Sequence, residues 1–95
     1  MKRFMILHIG FEKPTDEIMA QWHKWFEETA SCTRDMGGFM SGREISKEGV
    51  KDLAWDENCM TGYSVIEADS LDAAEKIAAS NPFITAVRVY ELRAG

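Results

Sequence analysis

From Arg3 to Phe11 the chain runs in a strand-like alternation, with Phe4, Ile6 and His8 on one face and Met5, Leu7 and Ile9 on the other. Gly10 and Pro14 close the run. Both faces are mostly apolar, the pattern of a strand covered on two sides, whereas a single layer of helices covers only one. Thr15 or Asp16 then opens a helical period. Ile18, Trp22, Trp25, Phe26, Thr29, Thr33 and Met36 make one stripe, and Lys24, Glu28, Ser31 and Asp35 lie opposite. This spacing predicts a long helix to about Met36, stopped by Gly37-Gly38.

A second strand is expected over Phe39 to Ser46 and a solvated turn over Lys47 to Asp52. A loop, Leu53 to Asn58, carries the lone aromatic Trp55. The third strand is expected from Cys59 to Ala68. Asp69 or Ser70 caps a helix from Leu71 to Ser80, and Asn81-Pro82 ends it. A last strand spans Ile84 to Arg93. The order β-α-β-β-α-β is that of the ferredoxin-like α+β fold, with both helices on one face of a four-stranded antiparallel sheet. The opposite face, bearing Met5, Leu7 and Ile9, then needs a cover. A second copy supplies it in a homodimer of the α/β-barrel kind.

Composition sharpens this picture. Ninety-five residues make one domain, and three tryptophans, five phenylalanines and six methionines are more large side chains than a chain of this size readily buries. The net charge of −5 argues against a nucleic-acid groove, which needs clustered Lys and Arg. No apolar run approaches the ~20 residues that span a bilayer. The start, Met1-Lys2-Arg3 followed by Phe4 to Ile9, loosely mimics a signal peptide, but His8 interrupts it and no small-residue cleavage site follows. A cytoplasmic protein without nucleic-acid or membrane partners is expected. Cys32 and Cys59 are far apart and are read as reduced thiols.

The segment Gly62-Tyr63-Ser64-Val65-Ile66-Glu67-Ala68-Asp69-Ser70-Leu71-Asp72-Ala73-Ala74-Glu75, followed by Asn81-Pro82-Phe83, resembles the strand-to-helix signature of the YCII-related family, including its DGPF-domain branch. Phe39-Met40-Ser41-Gly42 resembles the family's strand after the first helix, and His23 matches a histidine that many members carry there. The resemblance implies a dimeric α/β barrel with a histidine-centred pocket. Two departures stand out: Gly42-Arg43-Glu44 replaces a Gly-Pro pair, and Asp56-Glu57-Asn58-Cys59 occupies the place of Asp-Gly-Pro-Phe.

Candidate chemistry centres on His23, which the wheel sets beside Met19 and Phe26 at the edge of the apolar stripe, one turn from Glu27. There it is expected to look half-buried into the crevice between helix and sheet as a general acid/base, or else to be an edge histidine paired with Glu27. His8 shares a face with Phe4 and Ile6 and needs a polar partner; it is expected in that crevice or in the dimer seam. Arg43, Arg88 and Tyr90 are polar within apolar strands. If the last strand's Arg88 and Tyr90 share the His8 face, they make a wall for a small carboxylate or aromatic ligand; otherwise they are edge residues held by Glu44, Glu67 or Glu91. Trp55 is read as a clamp on a neighbouring element or subunit.

No P-loop, dinucleotide fingerprint, nucleophile elbow or metal-ligand spacing is present, so no cofactor and no metal are expected. The expectation is cofactor-independent proton transfer on a small organic molecule. Its rivals are a non-catalytic ligand-binding or assembly module and, by fold analogy alone, an oxygen-dependent monooxygenase.

Overall fold

The computed structural model describes residues 1–93. Strand β1 (Lys2–Ile9) leads to helix α1 (Asp16–Thr29), strand β2 (Thr33–Gly38), the hairpin strands β3 (Arg43–Ser46) and β4 (Gly49–Asp52), strand β5 (Met60–Ala68), helix α2 (Leu71–Ala79) and strand β6 (Ala86–Glu91). The four long strands form an antiparallel sheet in the order β2-β5-β1-β6, and β3-β4 is a separate two-stranded sheet. Without that hairpin the order is β-α-β-β-α-β. The fold is α+β and ferredoxin-like, as expected.

Both helices begin on hydroxyl caps. Thr15 Oγ1 accepts from the Ile18 amide and Ser70 Oγ from the Ala73 amide. The core lies between sheet and helices and is built of Phe4, Ile6, Ile66 and Ala68 from the strands with Trp25, Ala74 and Ala78 from the helices. Trp25 also ties α1 to α2, its Nε1 donating to Ser80 Oγ at 3.0 Å and to the Ile77 carbonyl at 3.3 Å. On the opposite face Met5 and Leu7 are half-buried, and Tyr90 is 53% exposed.

The first helix is shorter than its periodicity predicts. Thr29 turns its hydroxyl onto the Trp25 carbonyl at 2.8 Å, and the Thr33 hydroxyl donates to the Thr29 carbonyl at 2.8 Å. These β-branched, hydrogen-bonding residues favour an end over another turn. The stripe continues falsely because β2 contains a bulge. Thr33 pairs with Ile66 and Asp35 with Val65, so Arg34 is the extra residue and Thr33 and Met36 share a face at a spacing of three. Gly37 and Gly38 therefore lie in the sheet and do not stop a helix.

The segment expected as the second strand also divides. The Phe39 amide donates to the Thr61 carbonyl at 2.8 Å, extending the β2 edge, after which the chain leaves the sheet. Arg43–Ser46 pairs with Gly49–Asp52 through a turn at Lys47-Glu48, with Gly49 at φ +130°. The expected turn was thus too long by one strand. All eight strand residues of this hairpin are exposed, including the cross-strand pair Ile45 and Val50.

Candidate functional site

The register sorts the sheet into rows. On the helix-covered face one row reads Val87, His8, Gly62, Gly38 from β6 to β2, and the next reads Val89, Ile6, Ser64, Met36. The first row has one polar side chain followed by two positions with none. Above it α1 lays Trp22 and Phe26, and the space between is a crevice of about 310 Å³. Its lining includes His8, Ser64, Trp22, Phe26, Met36 and the glycines. Gly62 is required by close approach, since a Cβ there would stand 2.7 Å from the Gly37 carbonyl oxygen.

His8 is 7% exposed and fully engaged. Its Nε2 lies 3.3 Å from Ser64 Oγ and its Nδ1 3.3 Å from Asn81 Nδ2. The ring stands edge-on to Trp22 and Trp25, with centroids 5.3 and 5.8 Å away. With aromatic walls and no carboxylate bonded to it, burial pushes the imidazole down to about 4. The ring is neutral at pH 7. Asn81, itself 4% exposed, leaves Oδ1 without a partner among the described residues. Set with Nδ2 on Nδ1, the Asn81 amide puts the ring proton on Nε2, facing Ser64 Oγ; turned over, its Oδ1 accepts from Nδ1–H and Nε2 accepts from the Ser64 hydroxyl.

The other predicted site residues do not gather here. His23 is exposed on the outer side of α1, as is Glu27, and it lines neither this crevice nor the larger cavity below. Its expected half-buried position is corrected. The helical rise carries Trp22 and Phe26 over the sheet and rotates His23 past the edge. Arg88 and Tyr90 are in register with Leu7 and Met5, on the face opposite His8, so the condition for a shared wall is not met. Arg43 lies in the hairpin, paired with Asp52 at 3.0 Å. The expected acidic partner Glu67 instead takes Arg34 at 2.8 Å and Arg3 at 3.7 Å, and the Arg34 guanidinium holds its carboxyl below the usual range.

A second, larger cavity of about 740 Å³ opens at the same end of the sheet, between the segment after β2 and the loop before β5. Phe39, Met40, Leu53, Trp55 and Met60 give it an apolar wall. Trp55 packs on Phe11 with ring centroids 5.4 Å apart, fastening its loop to the end of β1. Phe39 stacks on Tyr63 at 5.8 Å, and the Tyr63 hydroxyl donates to Asp35, which raises its pKa.

Sequence reasoning missed Ser64, Asn81 and the glycine floor. Asn81 read only as a helix stop. Ser64 alternates with Gly62 and Ile66, but nothing within β5 says which of its two faces meets His8.

No family model matches this chain, and no curated protein matches it. Among solved structures it is similar to the 5-chloro-2-hydroxyhydroquinone dehydrochlorinase of Burkholderia phenoliruptrix, in complex with 2,5-dihydroxybenzoquinone. The TM-score is 0.59 at 14% identity, over 98% of this chain and 95% of that one. The 30S ribosomal protein S6 of Thermotoga maritima aligns with a TM-score of 0.46 at 15% identity, over 96% of this chain and 87% of that one. The likeness to the dehydrochlorinase, running nearly end to end in both chains, is one of fold.

Proposed function

We propose that this chain is an acid–base enzyme for a small, flat organic molecule, acting in the crevice beside His8. The observation that carries the reading is a buried, neutral imidazole bonded to Ser64 on the floor of an aromatic crevice. With the ring proton on Nδ1, an acidic ligand hydroxyl passes its proton to Ser64 Oγ as the Ser64 hydroxyl passes its own to Nε2, and the anion so formed stabilises the imidazolium behind the serine. The Ser64 hydroxyl, then donating to that anion, holds the ligand's oxygen in place. Trp22 and Phe26 provide flat apolar surface for a ring. The fold neighbour's bound 2,5-dihydroxybenzoquinone is a molecule of this shape and acidity, which supports hydroxyquinones and hydroquinones as the first class to test.

The reading includes a homodimer. Met5, Leu7 and Tyr90 lie on the sheet face that neither described helix covers, and a second sheet packed there at ~10 Å buries them. Cys32 and Cys59, both free, fit a reducing cytoplasmic setting.

The test is a titration with hydroquinones and hydroxyquinones, followed by absorbance and by ligand-induced stabilisation, in wild type, His8→Gln and His23→Ala. Loss of binding and turnover in His8→Gln alone supports the reading. Loss in His23→Ala with His8→Gln unaffected returns the role to His23 and overturns it. Binding without proton transfer makes the chain a ligand-binding module. Sedimentation of Leu7→Asp against wild type tests the dimer, and a wild-type monomer at micromolar concentration removes that part.

A further inference from the structure

The crevice and the larger cavity share one residue of lining, Gly38. It ends β2 at the row that holds His8 and Gly62, and the chain turns from it directly into Phe39 on the wall of the larger cavity. A Cβ at Gly38 would meet nothing closer than the Thr61 carbonyl oxygen at 3.9 Å, so the space over this residue is open. A side chain at that position would occupy the threshold between the two hollows.

We infer that the two cavities form one bipartite site, which takes an elongated molecule with its polar head at His8 and Ser64 and an apolar tail running past Gly38 to Trp55. This rests on the crevice reading and extends it to the rest of the substrate.

The lining specifies the tail. At about 740 Å³ the outer cavity is more than twice the size of the crevice, far larger than one ring needs. Its walls are aromatic, thioether and aliphatic, surfaces that bury a hydrocarbon chain or a second ring. The charged residues that line it, Glu44 and Asp56, are both acidic, and Glu44 already pairs with Lys51 at 3.3 Å. An anionic tail meets repulsion there, whereas an uncharged or weakly basic one does not. The head differs in kind. The inner crevice offers the Ser64 hydroxyl, backed by a neutral ring, which suits a phenol or carbonyl oxygen. The substrate class is an uncharged or weakly basic phenol or carbonyl compound with an apolar extension.

The experiment is a saturation-transfer NMR titration of the full chain with phenol and with 4-ethyl-, 4-butyl- and 4-hexylphenol. The readout is the ratio of hexylphenol to phenol affinity in each protein, so a general change in the head site cancels. In wild type the ratio is expected to reach about 30 or more, as successive methylenes leave water. Gly38→Leu, which fills the threshold, and Trp55→Ala, which removes the far wall without touching β2, are each expected to lower it at least about five-fold. If one variant fails to fold, the other carries the test. A ratio near one in wild type, or one unchanged in the variants, overturns the inference and leaves the crevice reading standing. Absence of phenol binding in wild type overturns both.

Discussion

Ser64 Oγ lies 3.3 Å from His8 Nε2 although the register pairs Ser64 with Ile6 and His8 with Gly62. The contact is therefore diagonal, and it exists because Gly62 has no side chain to separate the two. Replacing Ser64 by Ala keeps the packing but leaves a buried ring nitrogen unpaired, at a cost of about 1–3 kcal/mol. Urea unfolding at pH 7 measures it. A change below about 0.5 kcal/mol would mean that water reaches Nε2 from the crevice.

His8 also makes stability depend on pH. Its folded pKa of about 4 lies below the ordinary 6.5, so between these values the unfolded chain binds the proton that the folded chain refuses. Stability is complete above pH 6.5, falls as pH drops towards 4, and loses on the order of 3 kcal/mol in that window. His8→Gln is expected to lose this part of the slope while His23→Ala retains it. Denaturant midpoints at pH 7, 5.5 and 4.5 for the three proteins decide the matter.

Trp25→Phe separates the packing of this ring from its hydrogen bonds. The Nε1 donations to Ser80 and Ile77 are the polar tie between the helices, and their loss should cost about 1–2 kcal/mol. Trp25→Ala, which also opens a cavity over Phe4 and Ile6, should cost about 3–5 kcal/mol. Equal losses from the two substitutions would show that packing contributes nothing here.

Gly62 and Gly38, paired across β5 and β2, are expected to respond oppositely to Ala. At Gly62 the new Cβ would strike backbone at 2.7 Å, forcing the edge strand away at a cost of about 1–3 kcal/mol. At Gly38 there is room, and the change should stay within about 0.5 kcal/mol. Thermal unfolding of the two single variants makes the comparison.

Much of the fold was legible because its strands and second helix follow clean local rules: β1 alternates, β5 is continuous, and Ser70 and Asn81-Pro82 bracket α2. The middle of the chain was not, since a one-residue bulge gave β2 the spacing of a helix and the hairpin carries too little apolar pattern to stand out. The site was harder to read. Its polar members come from β1, β5 and the end of α2, and they meet only through strand register, which depends on all the strands together. His8 could be marked as a buried imidazole in need of a partner, but its partners could not be chosen. His23 was set at the stripe edge by its neighbours Met19 and Phe26, but Met19 is itself 44% exposed, so that edge faces solvent.

Arg34 acts as a shim. Drawn out flat with every residue retained, β2 would turn Asp35 inward beneath α1 and Met36 and Gly38 outward, and the crevice would lose its wall and its threshold together. Deleting Arg34 leaves Thr33, Asp35 and Met36 alternating on the faces they now occupy, and forfeits its bonds to Glu67 and to the Ser31 and Thr33 carbonyls. The connection between the first helix and the crevice therefore tolerates a chain shorter by that one residue, while the longer one depends on a kink to stay in phase.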